Sequence, residues 1–518
     1  VTDTTAQFKS QLPRNSFFQA LSFISNVAIG IWLVPYLMGH LGRAAYGLIP
    51  IAGALTQYVG LISYSISIAV TRFLTVALQR DDEQEANSVF NTAFFSYLAI
   101  GLIQIPVFAG VIYCANTVFS IPKEIYRDTI ILLVCSAISF LINLVCSVFN
   151  VPIYANNRLD ISQGLDIARQ IMRLVGIVSL FAIFEPTLRY IGYVDLTTTL
   201  LLCAINIVIA KRLAPGLRVA YRYYDWSRVR QLTEMGWWLV VSQIGSLLFL
   251  RVDVWVCNRF IDAEAAGDYA AVLQWSNLIR QSGALIAGVT APMIMIYYAR
   301  GQVRELIRLS QLSVRMLCVF VAIPVSILCV FSSAILRLWL GESFTPLAPL
   351  MVVMLCHLTV NIGITPLFSA RIAVNKVKLP ALMSVAMGII NLFLAIFSVR
   401  YLGWGIYGVA VAGAVTLTLL NAFWNPIYLA SVLHRPWHTF LQSTASGVLA
   451  LGGLSLVGLG IRHFVHPTSW IGLTGASLGM GLIGLCGAWL ILPAGDRQLL
   501  IGLLPGKRRS PMARLGRA

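Results

Sequence analysis

Charge is what this sequence has least of, and acidic charge above all. Of 518 residues only 11% are charged, 20 of them acidic against 37 Lys and Arg, while 58% are hydrophobic. So small a polar share excludes an ordinary soluble globular protein. No long polar stretch interrupts the apolar ones, so there is no large external domain of the kind a membrane glycosyltransferase or polymerase uses to hold catalytic carboxylates, and the chain is not expected to be an enzyme. Nucleotide-driven chemistry is missing as well. The stretch GLLPGKRR (Gly502–Arg509) resembles a phosphate-binding loop only superficially, because Gly502 and Gly506 stand one residue too close and Arg508 replaces the Ser or Thr that should follow Lys507. The 9 cysteines are scattered singly, with no Cys-x-x-Cys and no His at ligand spacing, so they read as small apolar packing residues and no metal or other cofactor is expected.

What the sequence does have is long apolar runs. Stretches of roughly 18 to 25 residues, each enough to cross about 30 Å of hydrocarbon, recur near 15–38, 46–71, 88–114, 128–154, 163–184, 194–210 and 235–257. They continue near 266–292, 309–332, 347–370, 380–400, 406–429, 440–461 and 470–492. These segments, called below the first to the fourteenth span, lack the strict alternation of barrel strands. They must be helices, because lipid offers backbone N–H and C=O groups no other partner. The first is full length and is expected to stay rather than be cleaved as a leader. With both termini inside, the inner segments collect roughly 25 Lys and Arg against roughly 8 outside (Arg43, Lys123, Arg127, Arg189, Arg259, Arg337, Arg400 and Arg462), which orients the bundle. The same bias explains most of the +17 net charge without nucleic acid. The basic tail GKRRSPMARLGRA is expected to meet anionic headgroups, each cation contributing about 1 kcal/mol.

Within the spans, polar residues recur at helical spacing. Asn15, Gln19, Ser22 and Asn26 share a face of the first; Gln57, Gly60, Tyr64, Ser67 and Thr71 do so in the second. The fourth repeats the pattern with Asn143, Ser147, Asn150 and Tyr154, the eighth with Gln274, Asn277 and Gln281, the tenth with His357, Asn361 and Thr365. Any one stripe reads equally as glue between helices, worth about 0.6 kcal/mol per pair. Five stripes in one bundle point to a shared hydrated cavity. Charges sharpen this. In FLRVDVWVCNRF (Phe249–Phe260), Arg251 and Asp253 lie about 200° apart around a helix, so each needs its own neighbour. Arg280, in the middle of the eighth span and flanked by Asn277 and Gln281, is either neutralised by a carboxylate elsewhere or a site for an anionic group whose oxygens its fork binds in pairs. His357, deep in the tenth span, is a candidate proton carrier, with Asp253 the alternative, although a neutral, hydrogen-bonded His accounts for the position too.

A short repeat is also present. LGRAAYG (Leu41–Gly47) and DAEAAGDYA (Asp262–Ala270) each place Ala-Ala and then Tyr at a helix start, six spans apart, which keeps the same orientation and implies two parallel six-helix lobes plus two added helices. The expected divisions are residues 1–231, 232–439, 440–492 and a basic tail 493–518. With RVDVWV, AAGDYAAVLQW and LGRAAYGLIPIAGALTQYVGLISYSISIAVTRFLTVALQRDD, the chain resembles the polysaccharide transporter family, the Wzx-type O-antigen flippases of the multidrug/oligosaccharidyl-lipid/polysaccharide superfamily. Leu41, Gly42, Tyr46, Gly47, Arg72, Asp253 and Tyr269 carry the match; Ser63 and Ser65 depart from it, standing where members often have Asp-x-Gly. The resemblance implies an all-α polytopic fold of about 14 transmembrane helices in a V-shaped, MATE-like pair of lobes. It also implies a place in a bacterial inner membrane and transport of undecaprenyl-pyrophosphate-linked oligosaccharide to the periplasmic leaflet, with polysaccharide polymerase and other assembly proteins as partners. Amides would hold sugar and Arg280 the pyrophosphate. A drug or cation antiporter of the same superfamily, which would line its cavity with carboxylates, and a non-transporting scaffold for assembly enzymes are the rival readings.

Overall fold

The computed structural model describes residues 2–80, 82–229, 237–374, 376–465 and 467–491, and among them every regular element is helical. All fourteen expected spans fall on helix. Among the described residues twelve helices are long and apolar enough to cross a membrane, thirteen when the bent seventh span (Val240–Leu250 and Val252–Phe260) is counted as one. The fifth, Leu159–Ile183, is the exception. Asp166, Arg169 and Arg173 load it with charge, so by composition it is less apolar than the other spans. The basic tail from residue 493 lies outside the described residues.

Packing divides the chain into two compact units, one holding the chain up to Ala271 with Ser384–Val409, the other Val272–Met383 with the chain from Ala410. The expected lobes rest on chain symmetry, a different basis. In the first unit, Val70, Leu74, Phe90, Tyr97, Val148 and Phe149 form a core among the second, third and fourth spans. In the second unit, Ile294, Val314, Cys318, Leu367, Leu429 and Phe440 do the same. Cys318 shows why a cysteine suits such a place. A Cβ on Gly363 would lie 2.0 Å from its sulfur and one on Gly447 2.5 Å from its Cβ, a slot that a larger side chain could not share.

Several spans are not continuous helix, and proline chemistry explains two of the interruptions. The tenth runs as Ala348–Cys356, Leu358–Gly363 and Thr365–Ala373. Pro366 has no N–H to give to the Ile362 carbonyl, and the Thr365 hydroxyl donates to it instead at 2.6 Å. The twelfth carries a π-helical turn, Leu419–Trp424, immediately before Asn425 and Pro426.

The connection after the sixth span is clamped by side chains of the third. Asn87 donates to Gly216 O and accepts from Arg218 N; Asn91, one turn on, donates to Arg218 O and accepts from Ala220 N, at 2.8 to 2.9 Å. Two amides thus pair with an extended backbone as a neighbouring strand would.

The repeated motif has a structural use. The two copies pack on each other: Gly267 meets the Arg43 carbonyl so closely that an added Cβ would lie 2.0 Å from its oxygen, and one on Gly47 would lie 2.7 Å from Gly267 N. Arg43 Nη1 reaches Asp268 Oδ2 at 3.3 Å beside this contact. Small residues let backbones approach where lipid supplies no hydrophobic drive. Gly267→Ala should therefore cost about 1–3 kcal/mol by overpacking, read as a lower melting temperature of the purified protein. Gly53→Ala, where nothing lies within 4 Å of the added carbon, should not.

At the start of the first span, Asn15 leaves the polar stripe for a latch. Its Oδ1 accepts from Asp160 N at 3.0 Å and its Nδ2 donates to Asn157 O at 2.9 Å. The buried Asp160 carboxylate receives Arg14 at 2.8 Å and Arg158 at 3.1 Å. Burial alone would raise its pKa, but Arg158, by hydrogen bond and charge, and Arg14 outweigh it and hold the carboxyl below its usual 3.8. A lowered folded value means stability that is present above the unfolded value and lost as pH falls through the folded one. The wild-type melting temperature should thus fall below about pH 4, whereas Asp160→Asn should start lower at pH 7 and fall less steeply over that range.

Candidate functional site

The first cluster is built by the break in the seventh span. Its two halves meet at 44° around Arg251. Side chains cap the carbonyls at the end of Trp237–Leu250: Asn391 Nδ2 donates to Leu248 O, and Tyr58 OH donates to Leu247 O in addition to the backbone bond from Arg251 N, both side-chain bonds at 3.3 Å. Arg251 and Asp253 then part company, as their angular separation requires. Arg251 Nε donates to Gln57 Oε1 at 2.9 Å. Asp253, 7% exposed, accepts from the Tyr269 hydroxyl at 2.9 Å and from Asn391 Nδ2 at 3.4 Å. It occupies the first turn of Val252–Phe260, where the helix N-terminus favours a carboxylate. Asn391 and Tyr58 were not picked out from the sequence, although Asn391 is the one amide in the run MSVAMGIINLFLAIFSVR.

The second cluster forms where the eighth and tenth spans pack. Ser276 Oγ donates to Met354 O at 3.3 Å, and one turn past Arg280 a Cβ on Gly283 would lie 2.1 Å from Ile362 Cγ2. Arg280 and His357 lie between these contacts, close enough for the arginine's charge to bear on the imidazole. His357 interrupts the tenth span. Its Nδ1 is 2.7 Å from Asn361 Nδ2, which also donates to Thr418 Oγ1 at 3.3 Å. An amide nitrogen has only protons to offer, so Nδ1 accepts in this arrangement. Asn361 Oδ1 and Thr359 Oγ1 are buried without a hydrogen-bond partner, a costly state that points to a polar group still to be received. Gln274, Asn277 and Arg280 are half-buried and Gln281 is exposed. Thr418 was missed because it ends a run of small apolar residues.

The other stripes serve differently. Asn150 Oδ1 accepts from Asn206 at 2.9 Å and Asn143 Oδ1 faces Cys203 Sγ at 3.9 Å, so both tie the fourth span to the sixth. Gln19 is exposed and Asn26 half-buried on the first span, where neither joins the clusters above. The Tyr64 side chain lies outside the described residues. Asp253 is also not the only acid within the spans. The sixth, Leu188–Leu213, also carries Asp195, which pairs with Arg173 at 2.9 Å.

A family model described as "Polysaccharide biosynthesis protein" matches residues 12–297. "Uncharacterized membrane protein EpsK" of Bacillus subtilis (strain 168) is 26% identical over 481 residues, 93% of this chain and 95% of that protein. A Shigella flexneri protein provisionally named an O-antigen transporter is 22% identical over 417 residues, 78% of this chain and 95% of its own. Among solved structures, the lipid II flippase MurJ in an inward closed conformation is similar with a TM-score of 0.68 at 15% identity, over 94% of this chain and 99% of that one. An inward-facing multidrug resistance MATE family transporter of the MOP superfamily gives 0.64 at 13% identity, over 80% and 95%. The family match covers more than half of the chain and the helical architecture agrees with both structures: this multi-pass membrane protein belongs to the polysaccharide biosynthesis protein family and has the fold of the MOP superfamily.

Proposed function

We propose that the chain is a flippase that moves undecaprenyl-pyrophosphate-linked oligosaccharide, an O-antigen unit or a similar polysaccharide repeat, from the cytoplasmic to the periplasmic leaflet of a bacterial inner membrane by alternating access. Both termini are then cytoplasmic, and a polymerase or other assembly proteins consume the product outside. The observation that carries this reading is Arg280, a half-buried guanidinium inside an apolar span, on the stretch that packs through Ser276 and Gly283 against the part of the tenth span that carries His357. A pyrophosphate offers such a fork paired oxygens. Gln274, Asn277 and the buried Asn361 Oδ1 offer a sugar the amide groups it needs.

The likeness to MATE proteins favours a second reading, a cation-coupled multidrug antiporter. It would need carboxylates open to organic cations. Three of the acids within these spans are engaged otherwise: Asp195 with Arg173, Asp268 with Arg43, Asp253 with Tyr269 and Asn391. That tilts the argument to an anionic cargo. A scaffold has no use for a buried cation, and movement of labelled lipid-linked sugar by the purified protein in liposomes would exclude it. Charge-assisted hydrogen bonds are worth about 1.5–3 kcal/mol each. Arg280→Ala should therefore cut glycan export at least about tenfold while the folded protein stays in the membrane, and Lys should restore only part. Normal export in the Ala variant would sink the assignment.

Uphill movement without a nucleotide site draws on an ion gradient or on consumption of the product. His357 is the first candidate to carry a proton. Protonated at Nδ1, it would need an acceptor, and a turn of the Asn361 amide would present the Oδ1 that now has no partner. His357→Gln keeps hydrogen bonding but does not titrate near neutrality, so it should abolish the response of flipping to an imposed pH gradient in proteoliposomes. An unchanged response would pass the role to Asp253.

A further inference from the structure

We infer that Arg371, at the end of the tenth span, anchors a second oxyanion subsite, one that takes the phosphate group of a lipid. Three arginines of this chain, in or beside spans, are neutralised by carboxylates: Arg173 by Asp195 at 2.9 Å, Arg43 by Asp268 at 3.3 Å, Arg189 by Asp128 at 3.9 Å. Arg371 is treated differently. Half-buried on the last turn of Thr365–Ala373, it lies over the Phe368 ring at 4.5 Å and donates through Nη1 to Asn425 Oδ1. Among the described residues these partners are neutral. Withdrawing a guanidinium from water without a counter-charge is costly, and letting it snorkel outward would be cheaper.

The protein fixes it instead. Asn425 is 3% exposed, and its Nδ2 donates to Asn421 Oδ1 at 2.9 Å, which turns its own Oδ1 toward the arginine. Asn421 belongs to the π-helical turn Leu419–Trp424, a local irregularity of the kind found at functional sites. One face of the guanidinium is covered by Phe368 and one nitrogen is held by Asn425. The Nε and Nη2 edge makes no bond to the described residues, and it is this edge that binds two oxygens of a phosphate side by side. The lipid is either the pyrophosphate-bearing carrier or a membrane phospholipid. Only the choice between these rests on the reading given under Proposed function.

Asn425→Asp is the deciding variant. It is isosteric and gives Arg371 an internal carboxylate, so a purely structural role would be kept or strengthened while anion binding would be lost. Full-length wild type, Asn425→Asp and Arg371→Gln would be titrated in nanodiscs with undecaprenyl pyrophosphate, with phosphatidylglycerol and with undecaprenol, and bound lipid counted by native mass spectrometry. We expect Asn425→Asp to melt no lower than wild type yet to bind a phosphate-bearing lipid about tenfold more weakly or worse, with undecaprenol unchanged; Arg371→Gln should lose the same binding. A loss confined to undecaprenyl pyrophosphate assigns the subsite to the cargo, and a loss for phosphatidylglycerol assigns it to the headgroup. Equal retention of both lipids by wild type and Asn425→Asp, or retention of neither by wild type, overturns it. Wild type that holds phosphatidylglycerol there but no undecaprenyl pyrophosphate overturns the cargo reading and leaves the subsite standing.

Discussion

Inside hydrocarbon no water takes up a carbonyl that a helix lets go, and the rest of this structure follows from that constraint. Where the seventh span breaks at Arg251, Asn391 takes up the Leu248 carbonyl, and Tyr58 adds a second donor to that of Leu247. Where Pro366 starves the Ile362 carbonyl, the Thr365 hydroxyl replaces the missing N–H. Each break therefore requires polar side chains nearby, and those side chains gather where the charged ones do. Asn391 repairs the backbone and also approaches Asp253. A defect in the helix and a polar centre are here one construction.

The same constraint sorts the charges. An arginine with a carboxylate beside it, such as Arg173 with Asp195, is neutral as a pair and contributes little beyond fixing two helices. A charge held by neutral groups, such as Arg251 by Gln57 or Arg371 by Asn425, keeps its field. Such residues cost more than they return in stability, so their presence asks for a reason outside the fold.

Much of this was legible in the sequence because hydropathy and helical spacing are local. The spans, their helicity and the separate neighbours of Arg251 and Asp253 follow from residue type and a 100° step per residue. What was not legible depends on which helices meet. Asn143 and Asn150 carry the same stripe signal as Asn361, yet they are used up by Cys203 and Asn206 on the sixth span, which no periodicity reveals. Asn391 and Thr418 each stand alone in an apolar run and form no stripe, so they were passed over. Asp195 lay inside the expected sixth span but was not singled out, because a lone acid shows no partner until the fifth span brings Arg173 beside it. The repeat was visible as a pattern; that Gly47 and Gly267 abut was not.

Each unit's polar centre has its own chemistry. In the first, the buried carboxylate of Asp253 is surrounded by donors that can also turn elsewhere, a hydroxyl and an amide. In the second, Arg280, His357 and Arg371 are basic, with amides that orient the last two. Transport of an anion against its gradient needs two different devices. A cation with unspent donors holds the cargo, and it serves best when it cannot move. A coupling group must change protonation or occupancy, so its partners must be able to rearrange when it does. On the proposed reading Arg280 and Arg371 serve the first task; for Arg371, ring stacking and one amide fix the group while leaving donors over. His357 and Asp253 suit the second, since amide and hydroxyl partners can reverse donor and acceptor roles at little cost, by a half-turn of the amide or a rotation of the hydroxyl.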